Sequence, residues 1–315
     1  MSAPTRRERI LGGLWGSLVG DALGVPVEFN ARADVQRNPV TGMRGYGTHR
    51  QPPGTWSDDS SMLLCTVESL NEHGFSPADM AARFLRWGRE CYWTPHGNVF
   101  DIGVATSQAL NRIAAGKPAL ECGGVSEYDN GNGSLMRILP VCLRFADGDT
   151  ITLAGKVQDA SCITHAHRRS QMACFFHALF VRELLASGDC RGALSAAQAG
   201  FQTYYATPWT DEFMAFTNVL DARLPEFPES EIRSGGYVME TLAASLWCLL
   251  TTDNFRDCVL KAVNLGGDTD TTGCVAGGLA GVRYGIEAID AEWLEALARK
   301  DDIEPLFDRF ADLVV

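Results

Sequence analysis

Long apolar runs are absent from this chain. No stretch of about 18 uninterrupted apolar residues occurs, so the sequence predicts no membrane-crossing helix. Paired cysteines are absent too. Cys65, Cys91, Cys122, Cys142, Cys162, Cys174, Cys190, Cys248, Cys258 and Cys274 stand singly, which argues against a thiolate zinc site or a dithiol redox motif. Most are expected to be small buried hydrophobes. Positive charge is scarce: 27 Lys and Arg against 39 Asp and Glu leave a net charge of −12. That balance excludes nucleic-acid binding by general electrostatics, though not chemistry on one modified nucleic-acid end. The start "MSAPTRRERI" is basic but lacks the apolar region of a signal peptide, so the expected location is cytoplasmic. Strand-like alternation is rare, and "PVCLRFA" (140–146) is its best example.

Helical periodicity is what the chain has instead. Ile10, Leu11, Leu14, Trp15, Leu18, Val19 and Ala22 recur at steps of three and four, as do Met62, Leu63, Thr66, Val67 and Leu70. Met172, Phe175, Phe176, Leu179 and Phe180 repeat the pattern, followed by Val238, Leu242, Ser245, Leu246 and Leu249. The expected fold class is all-α. Loops rich in Gly, Pro and Asn fall at 38–56, 92–100, 121–134 and 224–237, and none reads as an interdomain linker. With 46% hydrophobic residues and no internal repeat, one compact domain over 1–315 is expected.

Two rows of glycine need a reason. Gly12, Gly16, Gly20 and Gly24 fall every four residues, and so do Gly273, Gly277, Gly281 and Gly285. Glycine inside a helix costs about 1 kcal/mol relative to alanine. The rows predict two smooth helix faces packed closely together, joining chain start to chain end.

Polar residues concentrate at helix ends. In "TWSDDSS" (55–61), Ser57 suits an N-cap and Asp58 and Asp59 the first turn. "GGDTDTTG" (266–273) has the same grammar, with Asp268, Asp270 and Thr271 opening a small-residue helix. Capping alone accounts for either segment. Together they form two oxygen-only clusters of the kind that suits Mg²⁺ or Mn²⁺, and four carboxylates balance two divalent ions. Glu28 lies just beyond the first helix, and Asp101 is expected to begin another. "DNGNGSLMRILP" (129–140) can form a nest of backbone N–H groups for a diphosphate, with Arg137 either a structural ion-pair partner or a phosphate contact, the structural role preferred. "THAHRRS" (164–170) has an HxH spacing but no further zinc ligand at a suitable distance. "DTDTT" also matches the DxDxT nucleophile motif of haloacid-dehalogenase-type phosphatases. That motif follows a buried strand near the start of an α/β domain, and here it stands late in a helical context.

Taken in order, "GSLVGDALGVPVEF", "WSDDSSM", "FDIG", "GNGSLMRILP", "THA" and "GGDTDTTGCVAGGLAGVRYG" closely resemble the ADP-ribosylglycohydrolase family. The resemblance implies a compact orthogonal helical bundle with a binuclear Mg²⁺ centre, in which Mn²⁺ sometimes serves. It implies Ser57, Asp58, Asp59, Asp268, Asp270 and Thr271 as metal ligands, and Glu28 and Asp101 as the acid/base pair, undecided between them. Asn132, Gly133, Ser134 and His165 would lie along ADP-ribose. Two departures are visible. The usual Thr-Asp-Asp-Thr is Ser57-Asp58-Asp59-Ser60, and "DIG" is followed by Val-Ala-Thr rather than Asn-Thr-Thr. Serine keeps the ligand oxygen, and no essential carboxylate is lost.

The implied activity is metal-dependent removal of ADP-ribose from an acceptor, arginine-linked in the first instance. Serine-linked and nucleic-acid-linked ADP-ribose are alternatives. A non-catalytic immunity protein that blocks an ADP-ribosyltransferase is another, disfavoured by the short arm before the first helix and by the retained acids.

Overall fold

The computed structural model describes residues 3–205 and 211–315. Among them no strand forms. Helices follow one another along the chain, with only two isolated bridges, Gly124 to His165 and Gly131 to Tyr237.

The first helix, Arg6–Gly24, starts from a capping box in which the Thr5 hydroxyl accepts from the Glu8 N–H and the Glu8 carboxylate accepts from the Thr5 N–H. It is apolar on nearly every face, as a helix at the centre of a core must be. By length and composition it passes for a membrane span, yet every residue of that apolar window is buried inside the protein. Its main neighbour is the helix Thr269–Tyr284.

The two glycine rows meet there. A Cβ on Gly20 would sit 1.9 Å from the Gly273 carbonyl oxygen, one on Gly16 2.3 Å from that of Gly277, and one on Gly12 2.4 Å from that of Gly281. The rungs run in opposite directions along the two chains, so the helices are antiparallel. The contact is backbone on backbone, and no side chain can yield to relieve it. Thr269 Oγ1 donates to the Gly24 carbonyl at 2.8 Å and locks the end of one helix to the start of the other. Gly285 departs from the row: it caps the second helix with a φ of 80° beside Pro4.

Around this pair pack the helices Asp58–His73, Pro77–Glu90, Thr150–Cys162, Arg168–Ser187 and Val238–Leu250. The segment 140–146 does not form a strand. Leu139–Arg144 is a short helix with Pro140 in its first turn, where the fixed φ of proline favours a helix start. Residues 139–143 are buried on all sides, so their sequence carries no helical stripe. All ten cysteines are free, and burial raises the thiol pKa of Cys162 to about 11 and of Cys258 to about 12. They behave as core residues.

Candidate active site

The close helix pair sets the register of the site. The C-terminal end of the first helix meets the N-terminal end of Thr269–Tyr284, and Gly24 abuts Asp270 so closely that a Cβ there would lie 2.4 Å from the Asp270 Cα. Gly266 and Gly267, with φ of 73° and 75°, turn the chain into Asp268. A Cβ on Gly267 would meet the Ser234 carbonyl oxygen at 2.4 Å, so only glycine fits. Backbone bonds from Phe29 N–H to the Gly267 carbonyl (2.7 Å) and from Gly267 N–H to the Asn30 carbonyl (2.8 Å) fasten this turn beside Glu28.

Asp268 is the N-cap of its helix, accepting from the Thr271 N–H at 3.3 Å. Ser57 caps the Asp58–His73 helix through the Asp59 N–H, and its hydroxyl donates to Asp59 Oδ2 at 3.1 Å. The two helix starts touch where Thr271 Oγ1 donates to Asp59 Oδ2 at 3.4 Å. Glu28, Asp268 and Asp270 can bring one oxygen each within 4.8 Å of one another.

Burial and mutual repulsion push the acids out of the usual carboxylate range. Asp58, Asp59 and Asp270 are raised well above it, first by desolvation and then by neighbouring acids. Desolvation likewise raises Asp21 to about 6 and Glu28 to about 7. Among the described residues, the one basic side chain paired with any of these acids is His49, which holds Glu28. Asp59 Oδ1 and Asp270 Oδ2 are buried without a hydrogen-bond partner. Anionic oxygens that are buried, crowded and partnerless are the donor set a hard divalent cation requires, so the residues fit Mg²⁺ or Mn²⁺.

A cavity of about 290 Å³ opens beside the acids. Glu28, Asp58, Asp59, Asp101, Asp268 and Thr271 line one part of it, and Asn132, Gly133 and His165 another. The cavity therefore joins the acids to the Asn132–Gly133 loop and the His165 imidazole.

The model of the ADP-ribosylglycohydrolase family matches residues 2–315. The chain belongs to the ADP-ribosylglycohydrolase family. The ADP-ribosylarginine hydrolase Tri1 of Serratia proteamaculans is 31% identical over 96% of this chain and 78% of its own length. The ADP-ribosyl-[dinitrogen reductase] glycohydrolase of Rhodospirillum rubrum is 30% identical over 96% and 95%. A solved structure described as an ADP-ribosylglycohydrolase-related protein complex superimposes with a TM-score of 0.81 at 35% identity, covering 98% and 99% of the two chains. The all-α fold is that of this hydrolase family.

Placed in this glycohydrolase, the residues singled out from sequence converge with four adjustments. Asp101 does not begin a helix. It lies in the loop before Val104–Ala114, whose N-cap is Gly103, and its carboxyl is raised by burial while hydrogen-bonded to Asp58. The Asn132 amide is turned to the acids, donating to Asp268 Oδ2 at 2.8 Å and to Thr241 Oγ1 at 2.9 Å. The Ser134 hydroxyl is fully buried behind the loop, 3.5 Å from Cys174 Sγ and 2.9 Å from Ser161 Oγ. Arg137 is structural but makes no ion pair among the described residues; its side chain is wholly buried over the Phe84 ring.

Two residues of the site carried no signal that assigned them a role. Asp21 is completely buried and receives four hydrogen bonds, from the Ser57 N–H to both its oxygens and from the Ser60 N–H and hydroxyl. His49, in the 38–56 loop, pairs with Glu28 and sits between the rings of Phe29 and Phe100. An acid in the last turn of an apolar helix, as Asp21 is, is the visible hint.

Proposed function

We propose that this protein hydrolyses the bond between C1″ of ADP-ribose and an acceptor, with arginine-linked ADP-ribose on a protein as the substrate. The observation that carries this reading is the joining of two acidic helix starts, through Thr271 and Asp59, at one end of a cavity whose other end is lined by Gly133 and His165. The named activities of the Serratia and Rhodospirillum relatives favour an ADP-ribosylated acceptor, arginine in the first case.

In this reading Ser57, Asp58, Asp59, Asp268, Asp270 and Thr271 hold two Mg²⁺ ions, for which Mn²⁺ can substitute. Bound there, the cations supply Lewis acidity toward the hydroxyls of the distal ribose and toward a water. The protein's own part is orientation and proton handling. Asn132 steadies Asp268 by its amide N–H. Backbone donors of the 131–133 loop and the His165 imidazole face the diphosphate end. Glu28 or Asp101 takes the proton of the attacking water or gives one to the departing nitrogen, and both have carboxyls raised toward neutrality. The oxygen of water bonds to C1″ as the C1″–N bond breaks, and the guanidine leaves protonated. The acidic wall stabilises the oxocarbenium character that develops at C1″. The cytoplasm is the proposed location, and the chain is taken to act as one domain.

Incubation with arginine-, serine- and nucleic-acid-linked ADP-ribose, with Mg²⁺ and with EDTA, tests the reading. Mg²⁺-dependent release from the arginine-linked substrate is expected. No release from any substrate overturns the enzyme reading, and unchanged release by Asp268→Ala/Asp270→Ala overturns the ligand assignment.

A further inference from the structure

We infer that Arg137, acting through Thr164, holds His165 with its proton on Nε2, so that the imidazole presents one fixed N–H donor to the cavity. Arg137 is fully buried, and its Nη2 donates to Thr164 Oγ1 at 2.7 Å and to the Ala160 carbonyl at 3.1 Å. Thr164 Oγ1 in turn lies 2.9 Å from His165 Nδ1. A guanidinium can only donate, so it occupies an acceptor site of the hydroxyl.

The hydroxyl has one proton of its own to place. Among the described residues, its only other neighbour at hydrogen-bonding distance is His165 Nδ1. If Nδ1 carried the imidazole proton, Thr164 would receive two donors and its own proton would be stranded in a fully buried spot, at the cost of an unmade hydrogen bond. With the proton on Nε2, the Thr164 hydroxyl accepts from Arg137 and donates to His165 Nδ1, so its own proton is placed. The tautomer is thus read from the hydrogen-bond network.

The ring is fixed in place as well as in protonation. The His165 N–H donates to the Ser161 carbonyl at 2.8 Å, and its own carbonyl accepts from Ser161 Oγ at 2.9 Å. Its ring edge lies against the glycine loop, where a Cβ on Gly133 would come within 2.7 Å of Cε1 and one on Gly131 within 3.4 Å of Nε2. Burial, with the Arg137 charge nearby, lowers the imidazole pKa to about 3, so the ring is neutral. The Arg137 charge itself has no carboxylate partner among the described residues. It is accommodated by the Phe84 ring at 4.5 Å and by the Ala160 carbonyl in the last turn of the Thr150–Cys162 helix, where a cation is favoured, while Nε and Nη1 have no hydrogen-bond partner among the described residues. A buried cation held in this way works as a positioning residue: it dictates which imidazole nitrogen can donate.

The acceptor of that N–H, an oxygen of ADP-ribose, rests on the proposed function; the tautomer does not. Nitrogen NMR of histidine-labelled full-length protein reads the tautomer directly, and ADP-ribose titration reads its consequence. Wild type is expected to show His165 protonated on Nε2. Arg137→Met and Thr164→Val are expected to show a mixture of tautomers and about tenfold weaker ADP-ribose binding, with Arg137→Lys and Thr164→Ser close to wild type. An Nδ1 proton in wild type overturns the inference, as does an unchanged tautomer in folded Thr164→Val. If Arg137→Met does not fold, the wild-type and Thr164→Val spectra still decide. Failure of wild type to bind ADP-ribose counts against the proposed function, while the spectra alone then support or overturn the tautomer.

Discussion

Asp21, in the last turn of the first helix, caps a helix whose N-cap, Ser57, stands 36 residues later: its carboxylate accepts the Ser57 N–H at 2.9 Å. It also accepts the Ser60 N–H at 3.0 Å and the Ser60 hydroxyl at 2.5 Å. One buried acid therefore satisfies the otherwise unpaired donors of the Asp58–His73 helix and sets where Asp58 and Asp59 stand. Asp21→Asn replaces one acceptor oxygen with an NH₂ group facing N–H donors. It is expected to cost on the order of 2–4 kcal/mol in urea unfolding and to weaken Mg²⁺ activation at least tenfold. Wild-type stability and Mg²⁺ response in this variant would show that the cap is dispensable.

The glycine ladder makes a prediction of opposite signs for one chemical change. Gly20→Ala drives a methyl to within 1.9 Å of the Gly273 carbonyl oxygen, and the two helices must separate. A loss of more than about 3 kcal/mol is expected, with loss of the site that depends on their register. Gly155 lies in the Thr150–Cys162 helix, and a Cβ there meets nothing within 4 Å. Gly155→Ala is expected to raise stability by about 0.5–1 kcal/mol. Thermal or urea unfolding of the pair checks both.

How much of this was readable beforehand differs by the kind of signal. The glycine rows were legible because four-residue spacing in a helix is a packing statement, whatever lies opposite. The starts at Ser57 and Asp268 were legible because capping is local. Asp101 was placed at a helix start, since an acid before a helical run reads as a cap; here Gly103 takes that position, and Asp101 faces the acids from the loop. The role of Asp21 depends on a contact 36 positions away, and that of His49 on a partner 21 positions away, so neither has a local spacing to betray it. The turn of Ser134 away from the cavity follows from Cys174 and Ser161, on two later segments.

Metal removal and pH are linked through the raised carboxyls. Asp21 at about 6 and Glu28 at about 7 bind protons more tightly folded than unfolded, where such groups titrate near 4. The EDTA-treated protein should therefore lose this contribution as pH rises from about 4 to about 7, because the folded state releases protons that the unfolded chain has already lost. His165 and His177, lowered to about 3 and about 4, act in the opposite direction, favouring the folded state as pH rises toward about 6.5. Those histidines are common to both forms. The stability gap between Mg²⁺-loaded and EDTA-treated protein is thus expected to widen from pH 4 to pH 7. A gap independent of pH, measured by urea unfolding at saturating Mg²⁺, contradicts the coupling of Asp21 and Glu28 to a neighbouring cation site.

The pair of Glu28 and His49 separates the two acid/base assignments. Glu28 is pushed up by burial, and the hydrogen bond from His49 holds it lower than burial alone would set it; Asp101 and Asp268 push it up further. His49 sits against Phe29 and Phe100, with ring centroids at 6.0 Å and 5.1 Å, so phenylalanine suits the same nest. His49→Phe removes the hydrogen bond and the charge while keeping the packing. The Glu28 carboxyl then loses the His49 hydrogen bond that holds it lower and protonates at higher pH. If Glu28 handles the proton of the reaction, the pH profile of kcat/KM moves upward by on the order of one unit at saturating Mg²⁺. Movement of the acidic limb marks Glu28 as the base, and movement of the alkaline limb marks it as the acid. Asp101 touches Asp58 and has His49 as its strongest charge interaction, so Asp101→Asn in the same assay is the necessary comparison. The expected result is a displaced profile for His49→Phe with a bell shape retained in Asp101→Asn. An unmoved profile in the first and a lost limb in the second transfers the proton work to Asp101.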